Sequence, residues 1–357
     1  MGRRVVLAMS GGVDSSVAAY LLKEQGYEVI GLFMRTGAHV EEVERRAKTC
    51  CSAVDALDAQ AVADRLDIPF YALDFERDFS RIMERFADEY VAGRTPNPCV
   101  MCNIWLKFGK LWSYGKQVEA DFVATGHYAR IKTAPDGSLR VARALDTNKD
   151  QSYVLFGLRP ELLANVLLPV GEYSKLEIRA LAKSLALPVH DKADSQEICF
   201  IPDDDYLGFV RRMRPEVESS GRFVDEAGTE LGRHSGIEGF TIGQRKGLGI
   251  ALGERRYVVQ IEPASKTVTL GRRESLQRPG LIADGFNWQG PEPSGPVPCL
   301  AQIRSRHLAV AAVVEPLPEG KARIVFDIPQ TAVTPGQVVA VYQEDLVLGG
   351  GWIQSAL

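Results

Sequence analysis

A glycine-rich turn near the start of the chain constrains its fold more than any other segment. The turn, Ser10–Ser16, follows the apolar run Val5–Met9 and precedes a helical pattern. Glycines let the backbone turn tightly, and the N-terminal end of the following helix presents N–H groups and a positive dipole to an anion. The order of strand, loop and helix therefore predicts a phosphate-binding site. The lysine and spacing of a Walker A loop are missing, and so is the glycine spacing of a dinucleotide-binding turn.

Strand and helix patterns alternate through residues 1–202. Apolar runs with the length of buried strands occur at Val5–Met9, Val29–Phe33, Phe70–Leu73 and Phe122–Ala124. Helical patterns between them cover Ser15–Gln25, Ala53–Leu66, Phe79–Val91 and Ile104–Tyr114. This alternation predicts an α/β domain of the Rossmann-like class with a parallel, doubly wound sheet. A hairpin around Pro135-Asp136-Gly137 and a helix over Lys175–Leu185, capped by Ser174, follow it.

The pattern changes after about residue 203, where glycine and short β-like runs become frequent. Short strands are predicted at Tyr257–Ile261, Thr267–Leu270, Ala309–Val314, Ala322–Phe326 and Val338–Tyr342. A proline-rich stretch at Pro291–Pro298 interrupts this part of the chain. We therefore expect a catalytic domain over residues 1–202, a small β-rich domain over 203–278 and a C-terminal β-barrel over 279–357.

The composition is that of an ordinary globular protein: 357 residues, 45% hydrophobic and 25% charged, with a net charge of −4. No apolar run reaches the roughly 18–20 residues of a membrane span, so we expect a cytoplasmic protein without a membrane anchor. The net charge excludes a uniformly basic surface, and any nucleic-acid contact has to be local. An excess of Lys and Arg in residues 208–278 fits a polyanion partner or an ordinary solvated face equally well.

Three cysteines lie in motif-like surroundings. Cys99 and Cys102 belong to the run Asn-Pro-Cys-Val-Met-Cys-Asn, and Cys199 belongs to Ser-Gln-Glu-Ile-Cys-Phe. Six cysteines in a chain of this length do not form a disulfide scaffold, so buried, metal-binding or catalytic roles are expected. Cys102 directly precedes the predicted helix Ile104–Tyr114, whose dipole would lower the pKa of the thiol and favour the thiolate.

These motifs carry two resemblances. The run Ser-Gly-Gly-Val-Asp-Ser resembles the signature of the PP-loop ATP pyrophosphatases, which split ATP into AMP and pyrophosphate. The two cysteine motifs resemble those of the tRNA-specific 2-thiouridylase family. The segments Gly126-His127-Tyr128, Asp150–Tyr153 and Phe240–Gly247 extend that similarity over nearly the whole chain.

The resemblance implies an ATP-dependent enzyme that replaces the 2-oxygen of the wobble uridine in tRNAs of the Lys, Glu and Gln type. It implies ATP with Mg²⁺, with Asp14 helping to hold the metal ion and no resident protein metal site. Cys199 would carry a persulfide. Cys102 would resolve the intermediate, by forming a disulfide with Cys199 or by releasing hydrosulfide. The implied ATP-binding residues are Ala8, Met9, Ser10, Gly11, Gly12, Val13, Asp14, Ser15, Met34 and Gly126.

The same resemblance implies a tRNA partner held by its anticodon loop. The tRNA-binding residues would be Asn97, Pro98, Cys99, His127, Lys149, Asp150, Gln151, Arg304, Ser305, Arg306 and Gln337. A second partner would deliver sulfur, either a cysteine desulfurase or a sulfur-relay protein. We expect a monomer. For any single arginine among these residues, a solvated surface charge is the alternative.

Several alternatives remain open from the residues. Cys99 and Cys102 could supply half of the ligands of a zinc site, which would need two more. Cys50 and Cys51 could provide these, but adjacent cysteines make poor tetrahedral partners. Cys99, Cys102 and Cys199 could instead hold a [4Fe-4S] cluster with one iron open to sulfide. Other functions to weigh are a PP-loop AMP-forming ligase and a non-catalytic RNA-binding protein. The ligase would need no paired redox cysteines, and the RNA-binding protein would release no pyrophosphate.

Overall fold

The chain folds into two compact units. The computed structural model describes residues 2–37, 53–194, 198–201, 204–305 and 307–357. The first unit comprises Met1–Ile82, Cys99–Asp204 and Asp345–Leu348. The second unit comprises Met83–Pro98, Asp205–Glu344 and Gly349–Leu357. Within the described ranges, no helix is long and apolar enough to cross a membrane.

A parallel sheet forms the centre of the first unit. In chain order the strands here are β1 (Arg4–Ala8), β2 (Glu28–Arg35), β3 (Phe70–Asp74), β4 (Phe122–Thr125), β5 (Ala129–Thr133), β6 (Leu139–Arg143) and β7 (Val166–Leu167). The sheet has the order β3-β2-β1-β4-β7, and β1 pairs in parallel with both β2 and β4. The centre of β1, Val5–Leu7, is fully buried. The predicted parallel α/β sheet is confirmed, and β5 and β6 form the predicted hairpin.

Helices follow the strands as the apolar spacing predicts. They are α1 (Val13–Glu24), α2 (Ala53–Leu66), α3 (Glu76–Val91), α4 (Pro98–Met101), a π-helix (Cys102–Lys110), α5 (Leu111–Gln117) and α6 (Lys175–Ser184). Apolar side chains of α1, α2 and α6 join those of β1, β2 and β4 in one core. At the start of α6, Ser174 and Glu177 form a reciprocal capping box, as the serine at this position predicts.

The helical segment that carries Cys102 begins earlier than the sequence predicts. Helix α4, the π-helix and α5 follow one another without a break, and Met101 has right-handed helical dihedral angles. The start at Pro98 has a local cause, because proline is favoured in the first helical position. The expected place of Cys102 at a helix N-terminus is therefore wrong. The first turn contains Cys99 instead, and the dipole effect fades beyond that turn.

The second unit contains a small β sheet. Its elements are α7 (Tyr206–Met213), β8 (Gly221–Asp225), β9 (Glu230–His234), β10 (Tyr257–Glu262) and β11 (Thr267–Gly271). The strand order is β10-β11-β8-β9, with a parallel pair between β11 and β8. Phe223, Val258 and Leu270 are among its fully buried core residues. The predicted β-rich central region is confirmed.

A closed barrel occupies the C-terminal part of the chain. Its strands are β12 (Gln277–Trp288), β13 (Val297–Gln302), β14 (Val310–Leu317), β15 (Lys321–Thr331), β16 (Val338–Gln343) and β17 (Leu346–Ala356). They follow the order β12-β15-β14-β13-β16-β17, and pairing of β12 with β17 closes the barrel as predicted. The sequence does not predict β17, because glycines interrupt its strand pattern. They allow close approach, since a Cβ at Gly349 would lie 2.5 Å from the carbonyl oxygen of Asn287.

Candidate active site

The phosphate loop lies at the carboxyl end of β1, as its sequence predicts. The N–H of Ser10 donates to Oγ of Ser15 (3.2 Å), which in turn donates to the carbonyl oxygen of Gly12 (3.1 Å). Gly12 is the N-cap of α1, and among the described residues no side chain caps this helix. The first amides of α1 have no intrahelical partner, so they are available to an anion.

Two glycines allow the loop to pack against its neighbours. Gly11 has a φ of +70°, and a Cβ there would overlap the carbonyl oxygen of Asp55. Gly126 directly follows β4, and a Cβ there would lie 2.7 Å from the amide nitrogen of Ser15. The chain continues from β1 to β2, which pairs with one edge of β1, while β4 pairs with the opposite edge of β1. A ligand crevice is expected where the strand order reverses in this way. The structure thus brings Gly126 and the loop together at one crevice.

Gly126→Ala is expected to weaken ATP binding by about ten-fold, because the new Cβ must displace the first turn of α1. Titration calorimetry with ATP would measure the change. Gly295→Ala is the matched control, since no atom lies within 4 Å of a Cβ at that position. Equal ATP affinity in Gly126→Ala and wild type would contradict a role for this close contact.

The remaining predicted ATP-binding positions differ in exposure. Ala8 ends β1 and is half-buried, whereas Met9 is only 2% exposed and its N–H donates to the carbonyl oxygen of Leu32 at 2.9 Å. The Met9 side chain therefore supports the loop from within the core. Met34 is half-buried near the carboxyl end of β2, next to Leu73 of β3 in the register. Its contact with adenosine stays a prediction.

A buried lysine holds the acidic residue of the loop. Nζ of Lys175 donates to both carboxylate oxygens of Asp14, at 2.7 and 2.8 Å, and the hydroxyl of Tyr128 donates to Oδ1 at 2.7 Å. Burial, and then the charge of Asp14, raises the pKa of Tyr128, so its hydroxyl stays a donor. Lys175 is only 8% exposed. Asp14 is thus fixed by a cation, and a Mg²⁺ ion would use its remaining lone pairs.

Lys175 also contacts a second carboxylate, Asp194, at 2.9 Å. Lys149 and Arg179 donate to the same carboxylate at 2.9 and 2.7 Å. Burial opposes ionisation of Asp194, but the hydrogen bonds from Lys149 and Lys175 outweigh it and lower its pKa to about 2. Three cations thus surround two carboxylates, Asp14 and Asp194, beside the phosphate loop. A third carboxylate, Asp146, accepts from the N–H of Lys175 at 3.0 Å, so the three cations are matched by three carboxylates.

A second lysine ties the loop to α2. Nζ of Lys192 donates to the carbonyl oxygen of Gly11 at 3.0 Å, to Asp55 at 2.7 Å and to Asp58. Burial lowers the pKa of Lys192, but the hydrogen bonds to Asp55 and Asp58 outweigh that effect and raise it. The protonated lysine therefore fixes the position of the Gly11 turn.

Sequence reasoning missed Lys175, Arg179, Lys192 and Asp194. They lie between residues 175 and 194, outside the glycine and cysteine motifs. One signal was present: Lys175 is the first residue of α6, and a cation at a helix N-terminus is opposed by the helix dipole. A lysine kept at such a position indicates a compensating contact elsewhere.

The cysteines occupy distinct environments. Cys99 is exposed in α4, while Cys102, at the start of the π-helix, and Cys199 are half-buried; all three are thiols in the structure. Cys299 is buried in β13, and burial raises the pKa of its thiol to about 12, so this thiol stays protonated. Cys50 and Cys51 lie outside the described residues.

The candidate metal ligands are not grouped. In the part of the chain that the structure describes, no three His, Cys, Asp or Glu side chains are arranged to hold a metal ion. Cys99, Cys102 and Cys199 therefore do not form a three-thiolate cluster site in this conformation.

His127 is buried beside the phosphate loop. Its Nδ1 lies 2.6 Å from Oγ1 of Thr125, and its Nε2 lies 3.4 Å from Nζ of Lys107. Burial, reinforced by the charge of Lys107, lowers its pKa well below the usual 6.5. A neutral, packed imidazole follows, and the predicted tRNA contact of His127 would involve a side chain with little exposed surface.

Acidification is expected to destabilise the protein through His127. Because its folded-state pKa is lowered, the unfolded chain binds more protons than the folded chain at pH values just below 6.5. The His127 contribution is complete above that pH and is lost progressively as the pH falls. We expect a smaller drop in Tm between pH 7.5 and pH 5.5 for His127→Gln than for wild type. Equal drops in the two proteins would contradict this assignment.

The predicted tRNA contacts at Lys149, Asp150 and Gln151 already have intramolecular partners. Lys149 binds Asp194 as described, and Asp150 accepts from Arg143 at 3.0 Å and from the hydroxyl of Ser152 at 2.8 Å. The side-chain oxygen of Gln151 accepts from the N–H of Tyr128 at 2.9 Å. These side chains hold the loop in place, so RNA contact would require an exchange of partners or use the backbone.

The remaining predicted RNA contacts belong to the second unit, apart from Cys99. Gln337 donates to the carbonyl oxygens of Thr95 and Pro96, at 3.0 and 3.1 Å, and so holds the chain just before Asn97 and Pro98. In the barrel, Gln302 fixes the exposed residues Arg304 and Ser305 through their carbonyl oxygens, at 3.1 and 3.0 Å. Arg306 lies outside the described residues.

Three features define this chain as a nucleotide-binding α/β protein with appended β domains. They are the parallel sheet, the phosphate loop before a helix without a side-chain cap, and the lysines around that loop. Three family models match in order: the tRNA methyl transferase HUP domain over residues 3–203, the tRNA methyl transferase PRC-barrel domain over 208–272 and the aminomethyltransferase beta-barrel domain over 278–353.

Two relatives match this chain over nearly its full length. The tRNA-specific 2-thiouridylase MnmA of Rhodopirellula baltica is 46% identical, with 99% of this chain and 97% of the relative covered. The protein of the same name from Geotalea uraniireducens is 47% identical, with 99% and 96% covered. The chain belongs to the tRNA-specific 2-thiouridylase family. A solved 4-thiouridine synthetase–RNA complex with bound ATP is 16% identical; the match covers 60% of this chain and 51% of that one, with a TM-score of 0.36.

Proposed function

We propose that this protein catalyses ATP-dependent 2-thiolation of the wobble uridine in tRNAs of the Lys, Glu and Gln type. The observation that carries the proposal is the identity of 46–47% over the full length of enzymes named 2-thiouridylases. The names of the matched family models refer to methyl and aminomethyl transfer, whereas the full-length relatives are named for thiolation. The phosphate loop and the two cysteine motifs suit activation by ATP followed by sulfur transfer.

The first step is activation of the uridine. The 2-carbonyl oxygen attacks the α-phosphorus of ATP, the bond to the β,γ-phosphates breaks and pyrophosphate leaves. The amides at the start of α1 and the cations around Asp14 and Asp194 would bind the charged phosphates. Mg²⁺, bound to the phosphates, would neutralise charge that develops on the leaving group. The product is an adenylated uridine with AMP as its leaving group.

The second step is sulfur transfer. The terminal sulfur of a persulfide on Cys199 attacks C2, and AMP leaves with the former carbonyl oxygen. The thiolate of Cys102 then attacks Sγ of Cys199, which breaks the sulfur–sulfur bond, frees 2-thiouridine and forms a Cys102–Cys199 disulfide. If Cys102 attacks first, hydrosulfide is released and attacks C2, with the same disulfide as product. A thiol reductant must supply two electrons before the next cycle.

The partners follow from this chemistry. The anticodon loop of tRNA would contact residues 97–99, the 149–151 loop and the barrel residues around Arg304 and Gln337. The domain over 203–278 would also contact tRNA. A cysteine desulfurase or a relay protein would supply the persulfide sulfur. We propose a monomer that acts in the cytoplasm.

The deciding experiment incubates unmodified glutamate tRNA with the protein and Mg-ATP under anaerobic conditions, with a cysteine desulfurase and cysteine as the persulfide donor and a thiol as the reductant. Mass analysis of the nucleosides should detect 2-thiouridine only when ATP is present. Formation of AMP and pyrophosphate without a thionucleoside would overturn the proposed sulfur chemistry in favour of a ligase. Binding of tRNA without pyrophosphate release would favour a non-catalytic RNA-binding protein.

A further inference from the structure

The residues that line a cavity beside the π-helix have no role in the proposed ATP and sulfur chemistry. The volume of the cavity is about 350 Å³, within the range of small-molecule pockets, and it lies within the first unit. Trp105, Phe108, Leu158 and Leu162 line it together with two arginines. Trp105 is 40% exposed, so part of its indole ring is accessible to a ligand in the cavity.

The two arginines give the cavity a positive charge. Arg81 places its guanidinium 6.0 Å from the centre of the Trp105 ring, and Arg159 lies on the lining as well. Within the described ranges, neither arginine forms an ion pair with a carboxylate, and no acidic side chain lines the cavity. Asp78, on the same helix as Arg81, is paired with Lys110 instead. The two guanidiniums on the lining therefore favour an anionic ligand.

An exposed indole with unpaired guanidiniums is the chemistry that binds single-stranded nucleotides. A base stacks on the aromatic face, and arginines contact the adjacent phosphates. An acidic peptide could use the arginines, but it would leave the flat face of Trp105 without a matching group. The mixture of apolar and cationic surface thus favours a nucleotide over a peptide.

We propose that the Trp105 cavity binds a nucleotide that neighbours the target uridine in the RNA substrate. The base stacks on Trp105, and its phosphates contact Arg81 and Arg159. This inference rests on the proposed function, because it takes the substrate to be an RNA loop. The π-helix supports the location, since it begins at Cys102 and supplies Trp105 and Phe108 to the cavity. A nucleotide held here would help to keep the neighbouring uridine out of its stack.

Photo-crosslinking with the full chain tests this placement. Stem–loop RNAs with the glutamate anticodon sequence would each carry one 5-iodouridine at a different loop position. We expect one position next to the target uridine to crosslink to Trp105, as located by mass analysis of peptides. Trp105→Leu should lose that crosslink and keep the others, while Trp112→Leu, a tryptophan of α5 that does not line the cavity, should keep it.

The outcomes separate the two proposals. RNA that crosslinks elsewhere but never to Trp105 would overturn the cavity assignment and leave the proposed function standing. Failure of full glutamate tRNA to yield 2-thiouridine with ATP and the persulfide donor would remove the proposed function itself.

Binding measurements test the roles of stacking and charge. Trp105→Leu is expected to weaken stem–loop binding by about ten-fold, the effect of losing one stacked base. The double variant Arg81→Gln with Arg159→Gln should lower the slope of log affinity against log salt by about 1.4, as expected for two lost phosphate contacts. Arg77→Gln, on the same helix but outside the lining, is the charge control.

Unchanged affinity and salt slope in these variants would overturn the proposal. If RNA affinity is unchanged but sulfur delivery from a donor protein slows in Trp105→Leu, the cavity serves a protein partner and the nucleotide assignment fails.

Discussion

Cys199→Ser is expected to abolish 2-thiouridine formation, lowering it by more than about a thousand-fold, as for the loss of other catalytic nucleophiles. A serine hydroxyl cannot carry a persulfide, so no sulfur reaches C2. A single turnover of pyrophosphate release should persist, because activation of the uridine precedes sulfur transfer. Rapid-quench measurement of pyrophosphate, with nucleoside mass analysis of the same samples, would show both effects.

Cys102→Ser should give the same pattern, since the intermediate could not be resolved. Cys299→Ala is the matched control: its thiol is buried in β13 with a pKa raised to about 12, so it is no nucleophile at neutral pH. If Cys199→Ser thiolates tRNA at the wild-type rate, Cys199 takes no part in the mechanism.

Cys99→Ser distinguishes the persulfide route from the iron–sulfur alternative. The persulfide route transfers sulfur through Cys102 and Cys199 alone, so this variant is expected to keep its kcat for thiolation, and the loss of the predicted tRNA contact of Cys99 should change only KM. A loss as complete as that of Cys199→Ser, with iron present in the anaerobically purified wild type and absent from the variant, would replace the persulfide by a cluster.

Lys175→Met should slow pyrophosphate release by about a hundred-fold, the effect of removing one preorganised charged donor. The substitution removes the cation shared by Asp14 and Asp194 and leaves two carboxylates beside the phosphate loop. We also expect the free energy of unfolding to fall by about 2 kcal/mol, less than for a fully buried pair because both carboxylates are partly exposed.

Ligand-induced stabilisation separates the functional effect from the loss of stability. Mg-ATP should raise the Tm of wild type but hardly that of Lys175→Met. Lys183→Met, at the exposed end of the same helix, is the control and should behave as wild type. Pyrophosphate release at the wild-type rate in Lys175→Met would show that the lysine only stabilises the fold.

The Lys175 effect should not depend on pH between 5 and 9. The pKa of Asp194 is lowered to about 2, so its stabilising contribution is present above its ordinary value of 3.8 and is lost only as the pH falls toward 2. A step in the rate ratio of the two proteins between pH 5 and 9 would indicate that another group titrates in the network.

Local features could be predicted from the sequence because their causes lie within a few residues. Ala53–Leu66 is a helix with the bounds its apolar spacing predicts, and Ser174 caps α6 through Glu177, three residues later. The phosphate loop follows from glycines between a strand and a helix. The family motifs around Cys102 and Cys199 are likewise contiguous in the chain.

The sequence by itself thus predicted the strands and helices of the sheet domain, the phosphate loop and the cysteine motifs, since each has its pattern in neighbouring residues. It predicted the barrel as a class from several short strands, but not β17, the strand that closes it. Only the tertiary structure decided which distant charges meet. Lys175 reaches Asp14 across 161 positions, and Lys192 reaches Gly11 across 181. It also placed Cys102 one turn inside a helical segment and built the Trp105 cavity from α3, the π-helix and the chain around Arg159. Such contacts depend on how the elements pack in three dimensions, and no local spacing encodes that packing.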